Sequence, residues 1–437
     1  MSVKALPKEF YDAFLSDAAK ARRPSPIRGL FPLEQTPGVI SLLAGKPNSS
    51  TFPLTSLELT SRSPTEPGKE STLRIEGAEL AEGLQYGPTP GIPSLIEWAT
   101  GLQEHVHKRK KGEGWRLSIG SGSQHVIYKA AHALLDKGDT MLVEAPVYAG
   151  VIPLFAELGV DMIEVETDAY GIKSSSLREI LENWPAEKPK PKVLYTVPYG
   201  CNPTGMTATT DRRKEVLQLA HEHNFLILED DPYFYLYYGP AERPPSYFEL
   251  ELQAPEVGRV VRFDSLSKIL SSGIRIGWVS GPAPIVNAMD LHTATSILQT
   301  PSLTQTIAHA ILNSWGYDGF LQHTKTVSEF YRQKRDVFEA AMQKHLGGLA
   351  EWTPPESGMF YWFKLKLPDG DSQALIATKA FENGVLALPG TVFLPNGRKS
   401  AFVRASFSLL EEDQVNEALK RLRTTLEKEL ANGNAGN

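Results

Sequence analysis

Residues 193–230 read VLYTVPYGCNPTGMTATTDRRKEVLQLAHEHNFLILED, and this stretch decides the fold class. Its two ends, VLYTVP (193–198) and FLILED (225–230), are short apolar runs typical of buried strands, and residues 210–223 between them have a helical pattern. Two buried strands joined by a helix predict neighbouring parallel strands. The alternation extends outward through the predicted strands RLSIG (116–120), TMLVEA (140–145), DMIEV (161–165), VVRFDS (260–265) and IGWVS (276–280). The sequence therefore predicts an α/β fold whose mostly parallel sheet is covered by helices on both faces.

The chain of 437 residues is long enough for roughly two or three domains. Helices replace strands after about residue 283, and a shorter α+β pattern follows from about residue 359. We therefore predict an N-terminal segment over 1–60, a large domain over 61–310 and a small domain over 311–437. The N-terminal segment should join the small domain on the substrate side. Within it and just beyond it, the pattern predicts a helix to residue 21 and a loop over 49–75.

Composition and charge limit the classes of function. A hydrophobic fraction of 41% and a net charge of −6 are typical of a globular protein without general attraction for nucleic acid. The sequence has no apolar run long enough to span a bilayer, and its start lacks the apolar region of a secretory signal. One cysteine, Cys201, fits a reducing compartment. We therefore expect a cytoplasmic protein with small-molecule partners and no nucleic-acid or membrane partner. No metal site is predicted, since His221 and His223 lie two apart on a predicted helix and face different sides.

Polar residues follow five of the predicted strands. In an open parallel sheet, ligands bind beyond the carboxyl ends of the strands. These ends carry the segments SGSQ (121–124), PVY (146–148), YGCNPTG (199–205), DDPY (230–233) and SLSK (265–268). We therefore expect one ligand site to be built from all five segments.

The chemistry of these residues is that of a pyridoxal 5′-phosphate (PLP) site. The SGSQ segment at a helix start offers free backbone N–H groups and hydroxyls to a phosphate, and Arg275 adds a cation. A buried lysine such as Lys268 can lose its proton near neutral pH and form a Schiff base with an aldehyde. Asp230 can keep the pyridine nitrogen protonated, while we assign its neighbour Asp231 to a helix or turn cap. Two further side chains can reach the ring hydroxyl, Asn202 and Tyr233.

The same residues resemble a known family. The chain resembles the class I/II aminotransferases of PLP fold type I in three motifs: SLSK with Arg275 seven residues on, NPTG (202–205) and DDPY. Within that family it resembles the kynurenine/2-aminoadipate and fungal aromatic aminotransferases. The resemblance covers nearly the whole chain. It includes PSPIRG (24–29), ISLLAGKPN (40–48), LQYGPTPGIP (84–93), YTVPYGCNPTG (195–205), EDDPYFYL (229–236), DSLSKILSSGIRIG (264–277), SGMFYW (357–362) and VRASFS (403–408). It implies a large domain with a mostly parallel sheet between helices and a smaller α+β domain.

The resemblance also implies roles for residues around the cofactor. Lys268 would hold the cofactor and shuttle a proton between it and the α-carbon of the substrate. Asp230 would pair with the pyridinium nitrogen, Tyr148 would stack on the ring, and Asn202 and Tyr233 would bond the phenolate oxygen. The phosphate would be held by Ser123, Gln124, Ser265, Ser267 and Arg275. Tyr86 would reach the phosphate of the other subunit, which makes a homodimer the working unit.

For the substrate, the resemblance implies that Arg404 grips the α-carboxylate and that Arg28 touches the side chain. Gly45, Asn202 and Phe360 would line the same place, although the relatives often have a second glycine before Gly45. The expected reaction is transamination between an aromatic L-amino acid (tryptophan, phenylalanine or tyrosine) and a 2-oxo acid. Kynurenine or 2-aminoadipate is the alternative substrate, and decarboxylation on the same fold is the alternative reaction.

Overall fold

The N-terminal part of the chain consists of short helical turns. The computed structural model describes residues 3–43 and 45–435, except for the side chains of Arg28, Pro32, Gln35 and residues 432–435. The single helix predicted to residue 21 is wrong: a 3-10 turn (Lys8–Ala13) precedes helix α1 (Asp17–Ala21). The break arises because Ser16 starts a new helix by accepting a hydrogen bond from the backbone N–H of Ala19. Further 3-10 turns cover Arg28–Gln35 and Ser49–Thr51.

The loop predicted over residues 49–75 is wrong from residue 56 onward. Strands β1 (Ser56–Arg62) and β2 (Glu70–Glu76) form an antiparallel hairpin there. Their sequences, SLELTSR and ESTLRIE, alternate apolar with polar residues, and Ile75 is buried. The Ser and Thr content suggested a loop, but Thr favours strands and the alternation decides the structure.

Helices α2 (Gly77–Leu84) and α3 (Pro93–His107) lead into a central sheet of eight strands. In chain order these are β3 (Trp115–Gly120), β4 (Thr140–Ala145), β5 (Asp161–Asp168), β6 (Gly171–Ile172), β7 (Val193–Thr196), β8 (Leu226–Asp230), β9 (Val260–Ser265) and β10 (Gly277–Pro282). Their order in the sheet is β3-β10-β9-β8-β7-β4-β5-β6. The pairs from β9 to β5 are parallel, whereas β10 is antiparallel to both of its neighbours and β6 to β5. The predicted α/β fold with a mostly parallel sheet is therefore confirmed.

Helices flank this sheet. They are α4 (Ser123–Leu134), α5 (Ile152–Glu157), α6 (Ser174–Glu182), α7 (Thr210–His223), α8 (Tyr247–Leu250) and α9 (Ala283–Ser296). Every residue of β7, β8 and β9 is buried, which requires cover on both faces of the sheet. The continuous apolar runs of the sequence are the consequence of this double burial.

A long helix, α10 (Ser302–Leu346), leads to a second sheet and has a kink at Gly316, where φ is 62°. The second sheet contains β11 (Ala350–Trp352), β12 (Phe360–Leu365), β13 (Leu388–Pro389) and β14 (Phe402–Ser406), with a π-helical turn (Leu375–Ala380) before β13 and helix α11 (Glu412–Ala435) after β14. Its antiparallel order is β11-β12-β14-β13, and it has its own apolar cluster. The domain limits stay a prediction, since α10 runs through residue 310. Although α10 has 45 residues, neither it nor another helix in the described part of the chain is apolar enough to cross a bilayer.

Arg262 of β9 is the centre of a buried charge network in the large sheet. Its guanidinium pairs with Asp231, with Asp264 at 2.8 Å and with Glu229 at 3.3 Å, and all four side chains are buried. Burial raises the pKa of Asp231, and the nearby charge of Arg262 lowers it. The predicted capping role of Asp231 is therefore wrong, because its carboxylate is engaged by Arg262 instead.

We expect Arg262→Leu to destabilise the fold strongly, because it leaves the buried carboxylates of Asp231 and Asp264 without their cation and leaves Glu229 with only Arg213, at 4.0 Å. Breaking a buried ion pair in this way costs about 3–5 kcal/mol. Urea unfolding followed by circular dichroism measures the change. Arg332→Leu is the matched control, since Arg332 forms only exposed ion pairs with Glu329 and Asp336. Equal unfolding midpoints for the two variants would contradict the prediction.

Candidate active site

The carboxyl ends of β3, β4, β7, β8 and β9 meet at one edge of the large sheet, because these strands run in the same direction. Strand β10 runs the opposite way and begins at this edge, where Gly277 pairs with both Gly120 and Ser265. The structure thereby brings together the five polar segments that follow the strands. Arg275 joins them from the segment before β10.

Segment 121–124 and Arg275 form a cradle for an anion. Helix α4 begins at Ser123, so its first backbone N–H groups have no acceptor within the helix. Gly122 has a φ of 83°, and a Cβ atom there would lie 2.1 Å from Nη2 of Arg275. Arg275 itself donates to the backbone oxygen of Ser121 at 3.2 Å and to Oγ of Ser267 at 3.1 Å. Only glycine permits this approach, which places a helix N-terminus beside a guanidinium.

Lys268 lies on the turn that follows β9, beside the cradle. The turn is held by the backbone N–H of Ser267, which donates to Oγ of Ser265 at 3.2 Å. Lys268 is half-buried, and burial lowers its pKa; the positive charge of Arg275 lowers it further. Its amine can therefore lose a proton more easily than that of an exposed lysine.

Gln124 connects the cradle with the segment after β4. Its Nε2 donates to the backbone oxygen of Gly150 at 2.9 Å. Tyr148 lies on the same segment, and a Cβ atom at Gly150 would meet its ring at 2.4 Å. The position of the Tyr148 ring is thus tied to the first turn of α4.

Asp230, at the end of β8, is 2% exposed and has one unpaired oxygen. Its Oδ2 accepts a hydrogen bond from the phenol of Tyr195 at 2.7 Å, whereas Oδ1 is buried without a partner among the described residues. Burial raises the pKa of Asp230 to about 7, and the hydrogen bond from Tyr195 opposes this rise. A buried carboxylate with one free oxygen fits a protonated ring nitrogen as its missing donor.

Asp230 and Asp231 serve different faces of the sheet. Successive side chains of a strand point to opposite faces, so only one member of the pair can reach the site. Asp231 pairs with Arg262 and Asp230 with Tyr195. Sequence reasoning missed Tyr195, although its place on a strand predicted to lie near residues 225–230 was a usable signal.

Arg404 brings the second sheet to the same site. Its Nη1 donates to Oδ1 of Asn202 at 2.9 Å, and its guanidinium lies over the rings of Phe360 at 4.5 Å and Phe393 at 5.3 Å. Its Nε atom is buried and has no partner within the described residues. A guanidinium that packs against two rings and keeps an unpaired donor fits a carboxylate. Phe393 was not predicted, since no motif of the sequence marks it.

Tyr148 and Tyr233 lie near both Asp230 and Arg404. Burial raises the pKa of each phenol; Asp230 raises it further and Arg404 lowers it. The ring of Tyr233 also packs edge-on against Phe360, with 6.1 Å between the ring centres. The two tyrosines therefore join the Asp230 side of the site to the Arg404 side.

Among the described residues, no hydrogen bond joins two of the predicted residues, Tyr86 and Gly45, to this group. Tyr86 is 53% exposed, and Gly45 lies on an exposed segment where an added Cβ atom would contact no described atom within 4 Å. The side chain of Arg28 lies outside the described residues. Gln85 links the segment of Tyr86 to that of Gly45, since its Nε2 donates to the backbone oxygen of Pro47 at 2.8 Å.

The assembled residues fit PLP. The cradle offers a cation and helix N–H groups to the phosphate, Lys268 offers an amine of lowered pKa, and Asp230 offers a free buried oxygen. Across residues 3–43 and 45–435, no group of three or more His, Cys, Asp or Glu side chains could hold a metal ion.

Comparison with known proteins agrees with this fit. The family model for aminotransferases of class I and II matches residues 69–422. The aminotransferase tdiD of Emericella nidulans is 44% identical over 91% of this chain and 92% of its own length. The mouse mitochondrial kynurenine/alpha-aminoadipate aminotransferase is 39% identical over 96% of this chain and all of its own length. The crystal structure of the aromatic aminotransferase Aro9 from Candida albicans is 27% identical and superimposes with a TM-score of 0.85 over 97% of this chain and 99% of its own.

The matched region contains every strand of the large sheet and all five polar segments at its edge. From its sequence, its fold and these relatives, the chain belongs to the class I and II aminotransferases, enzymes that depend on pyridoxal 5′-phosphate.

Proposed function

We propose that this enzyme transfers the amino group of an aromatic L-amino acid to a 2-oxo acid, with Lys268 and Asp230 acting on the cofactor and Arg404 binding the substrate. The observation that carries the proposal is the placement of Arg404. Its Nε atom is an unpaired donor, and it shares Tyr148 and Tyr233 as neighbours with Asp230, whose Oδ1 atom is unpaired. A carboxylate binder beside a cofactor site is what amino-acid chemistry requires.

On the cofactor side, PLP supplies an electron sink for the bonds that break at the substrate α-carbon. Asp230 would keep the ring nitrogen protonated through its Oδ1 atom, and Tyr148 would stack on the ring. Asn202 and Tyr233 would bond the ring oxygen. The phosphate would be held by Ser123, Gln124, Ser265, Ser267 and Arg275. Hydrogen bonds and charges of this kind are effective because the site is already organised before the reaction.

Lys268 would move the proton of the reaction. Its lowered pKa leaves a larger fraction of neutral amine, which would take a proton from the α-carbon of the substrate and pass it to the C4′ atom of the cofactor. Arg404 would hold the α-carboxylate in place during this transfer. That grip disfavours the alternative decarboxylation, because a departing carboxylate must leave its binding group.

The rings of Phe360 and Phe393 favour a large, flat substrate. Their ring centres lie 4.5 Å and 5.3 Å from the guanidinium of Arg404, so they give the proposed carboxylate-binding group an apolar wall. The name of the Candida albicans relative supports aromatic amino acids. The name of the mouse relative supports the alternative, kynurenine or 2-aminoadipate.

We also propose a homodimer in which Tyr86 reaches the phosphate of the partner subunit. Ile40 is 91%, Leu42 98% and Tyr86 53% exposed in the single chain. The segment of Ile40 and Leu42 is linked to that of Tyr86 by the bond between Gln85 and Pro47. Exposed apolar side chains on neighbouring segments are typical of an interface, and two-fold dimers are the commonest oligomers.

The cytosol stays the proposed compartment on sequence grounds. The one cysteine is unpaired and buried, which fits a reducing environment. The mouse relative is named as mitochondrial, so fractionation of the source cells must distinguish the two compartments.

The purified protein should show the absorption spectrum of bound PLP, and addition of an aromatic amino donor should change that spectrum. Lys268→Ala should still bind PLP without covalent attachment, and turnover should fall by roughly a hundred- to ten-thousandfold, the usual contribution of a positioned proton-transfer group. Borohydride reduction followed by mass spectrometry locates the attachment. Lys325→Ala, a change of an exposed lysine, is the control. A wild-type protein that takes up no PLP would exclude the proposed function, and PLP fixed to Lys268→Ala would exclude the role of Lys268.

Arg404→Ala should raise KM for every amino donor, since all donors share the α-carboxylate. The loss of a charge-assisted hydrogen bond corresponds to roughly ten- to a hundredfold in kcat/KM.

Arg28→Ala should instead lower kcat/KM for glutamate and 2-aminoadipate more than for tryptophan, because only the acidic donors offer a distal carboxylate. Donor panels for both variants measure this, with Arg423→Ala, an exposed arginine, as control. Equal losses for tryptophan and glutamate in Arg28→Ala would show that Arg28 does not select the substrate.

The dimer can be tested by mixing damaged subunits. Tyr86→Phe should lose roughly tenfold or more in activity if the phenol bonds the phosphate. Co-expression of a Tyr86→Phe subunit with a Lys268→Ala subunit should restore one of the two sites, since that site combines an intact Lys268 with an intact Tyr86 from the partner. Light scattering checks the size of the assembly. A mixed dimer no more active than Tyr86→Phe alone would show that Tyr86 acts within its own subunit.

A further inference from the structure

Tyr195 is the one side chain that the described structure hydrogen-bonds to Asp230. We propose that Tyr195 is a positioning residue for the cofactor: its phenol occupies Oδ2 of Asp230 and so reserves Oδ1, in a fixed orientation, for the ring nitrogen. The proposal rests on the proposed role of Asp230 and adds Tyr195 as the group that orients this carboxylate toward the ring nitrogen.

The strand register places the two side chains on one face of the sheet. Tyr195 of β7 pairs with Leu228 of the parallel neighbour β8, and Asp230 lies two residues beyond Leu228. Side chains two apart on a strand share a face, so Tyr195 and Asp230 point to the same side. Their 2.7 Å bond therefore follows from the backbone pairing of the two strands.

The ring of Tyr195 is itself fixed. It is fully buried and packs edge-on against Phe155, with 5.9 Å between the ring centres. A phenol held by packing donates its proton in one direction without losing rotational freedom on binding. The orientation of the Asp230 carboxylate is thereby set before any cofactor arrives.

The bond from Tyr195 also acts on the charge of Asp230. Burial raises the pKa of Asp230, and the Tyr195 hydrogen bond is the strongest of the influences that lower it. A donated hydrogen bond stabilises a carboxylate and not a neutral carboxyl group. Tyr195 therefore favours the charged form of Asp230, the form that a pyridinium nitrogen requires.

Tyr195→Phe tests this role with little change in volume. We expect the dissociation constant of PLP to rise by about tenfold, the factor that corresponds to about one pKa unit on Asp230. We also expect kcat to fall by roughly ten- to a hundredfold, as for loss of a hydrogen bond to a charged group. KM for the amino donor should stay within about threefold, because the Arg404 side of the site is untouched.

Tyr11→Phe is the matched control. Tyr11 lies outside the five site segments, is 2% exposed, and its phenol also makes one hydrogen bond, to the backbone oxygen of Gly258 at 3.0 Å. Urea unfolding of the two variants without cofactor should give similar losses of stability. A loss of cofactor affinity in Tyr11→Phe equal to that in Tyr195→Phe would overturn the proposal, since general damage to the buried core would then explain both.

A double-mutant cycle with Asp230→Ala separates positioning from packing. If Tyr195 acts through the carboxylate, Tyr195→Phe should not weaken cofactor binding further once that carboxylate is gone. Additive losses would overturn the proposal, as would a Tyr195→Phe enzyme with wild-type affinity and kcat. A wild-type protein that binds no PLP would overturn the proposed function and the role of Tyr195 together. If the wild type is active, additive losses or an unaffected Tyr195→Phe enzyme would overturn only the role of Tyr195.

Discussion

The burial of Asp230 with one free oxygen is the constraint on which the site depends. A carboxylate in such a place is costly unless donors satisfy it, and here Tyr195 supplies one donor and leaves room for a second. The protein thus carries an unsatisfied buried acceptor at the edge of its sheet. A ligand that brings a protonated nitrogen removes that cost, which links cofactor affinity directly to the fold.

On the other face of β8, buried carboxylates are paired with a cation of the chain itself. Asp231, Glu229 and Asp264 meet the guanidinium of Arg262, so buried charge on that side is compensated within the chain. Adjacent residues of β8 therefore differ in function because a strand alternates its faces. One face pairs its carboxylates with a buried cation, whereas Asp230 on the other face has no ion pair among the described residues.

The second sheet completes the site from another part of the chain. Arg404 reaches Asn202 through a hydrogen bond, and the backbone N–H of Val147 donates to the carbonyl of Phe393 at 2.9 Å. These contacts join the segment before Tyr148 to the ring that lies over Arg404. The substrate group and the cofactor segments are therefore held in one geometry, as selectivity for a bound amino acid requires.

The sequence by itself determined the α/β class, the five polar strand ends and the family, because strand periodicity and order along the chain are local properties. Lys268, Asp230 and Arg404 could be named because each follows a strand or lies in a motif. The hairpin over residues 56–76 was missed, since its composition resembled a loop. Only the tertiary structure decided that Asp231 pairs with Arg262, that Tyr195 bonds Asp230 and that Phe393 covers Arg404. These contacts join residues that are distant in sequence or lie on different strands, and their partners are set by register and packing, which no local pattern encodes.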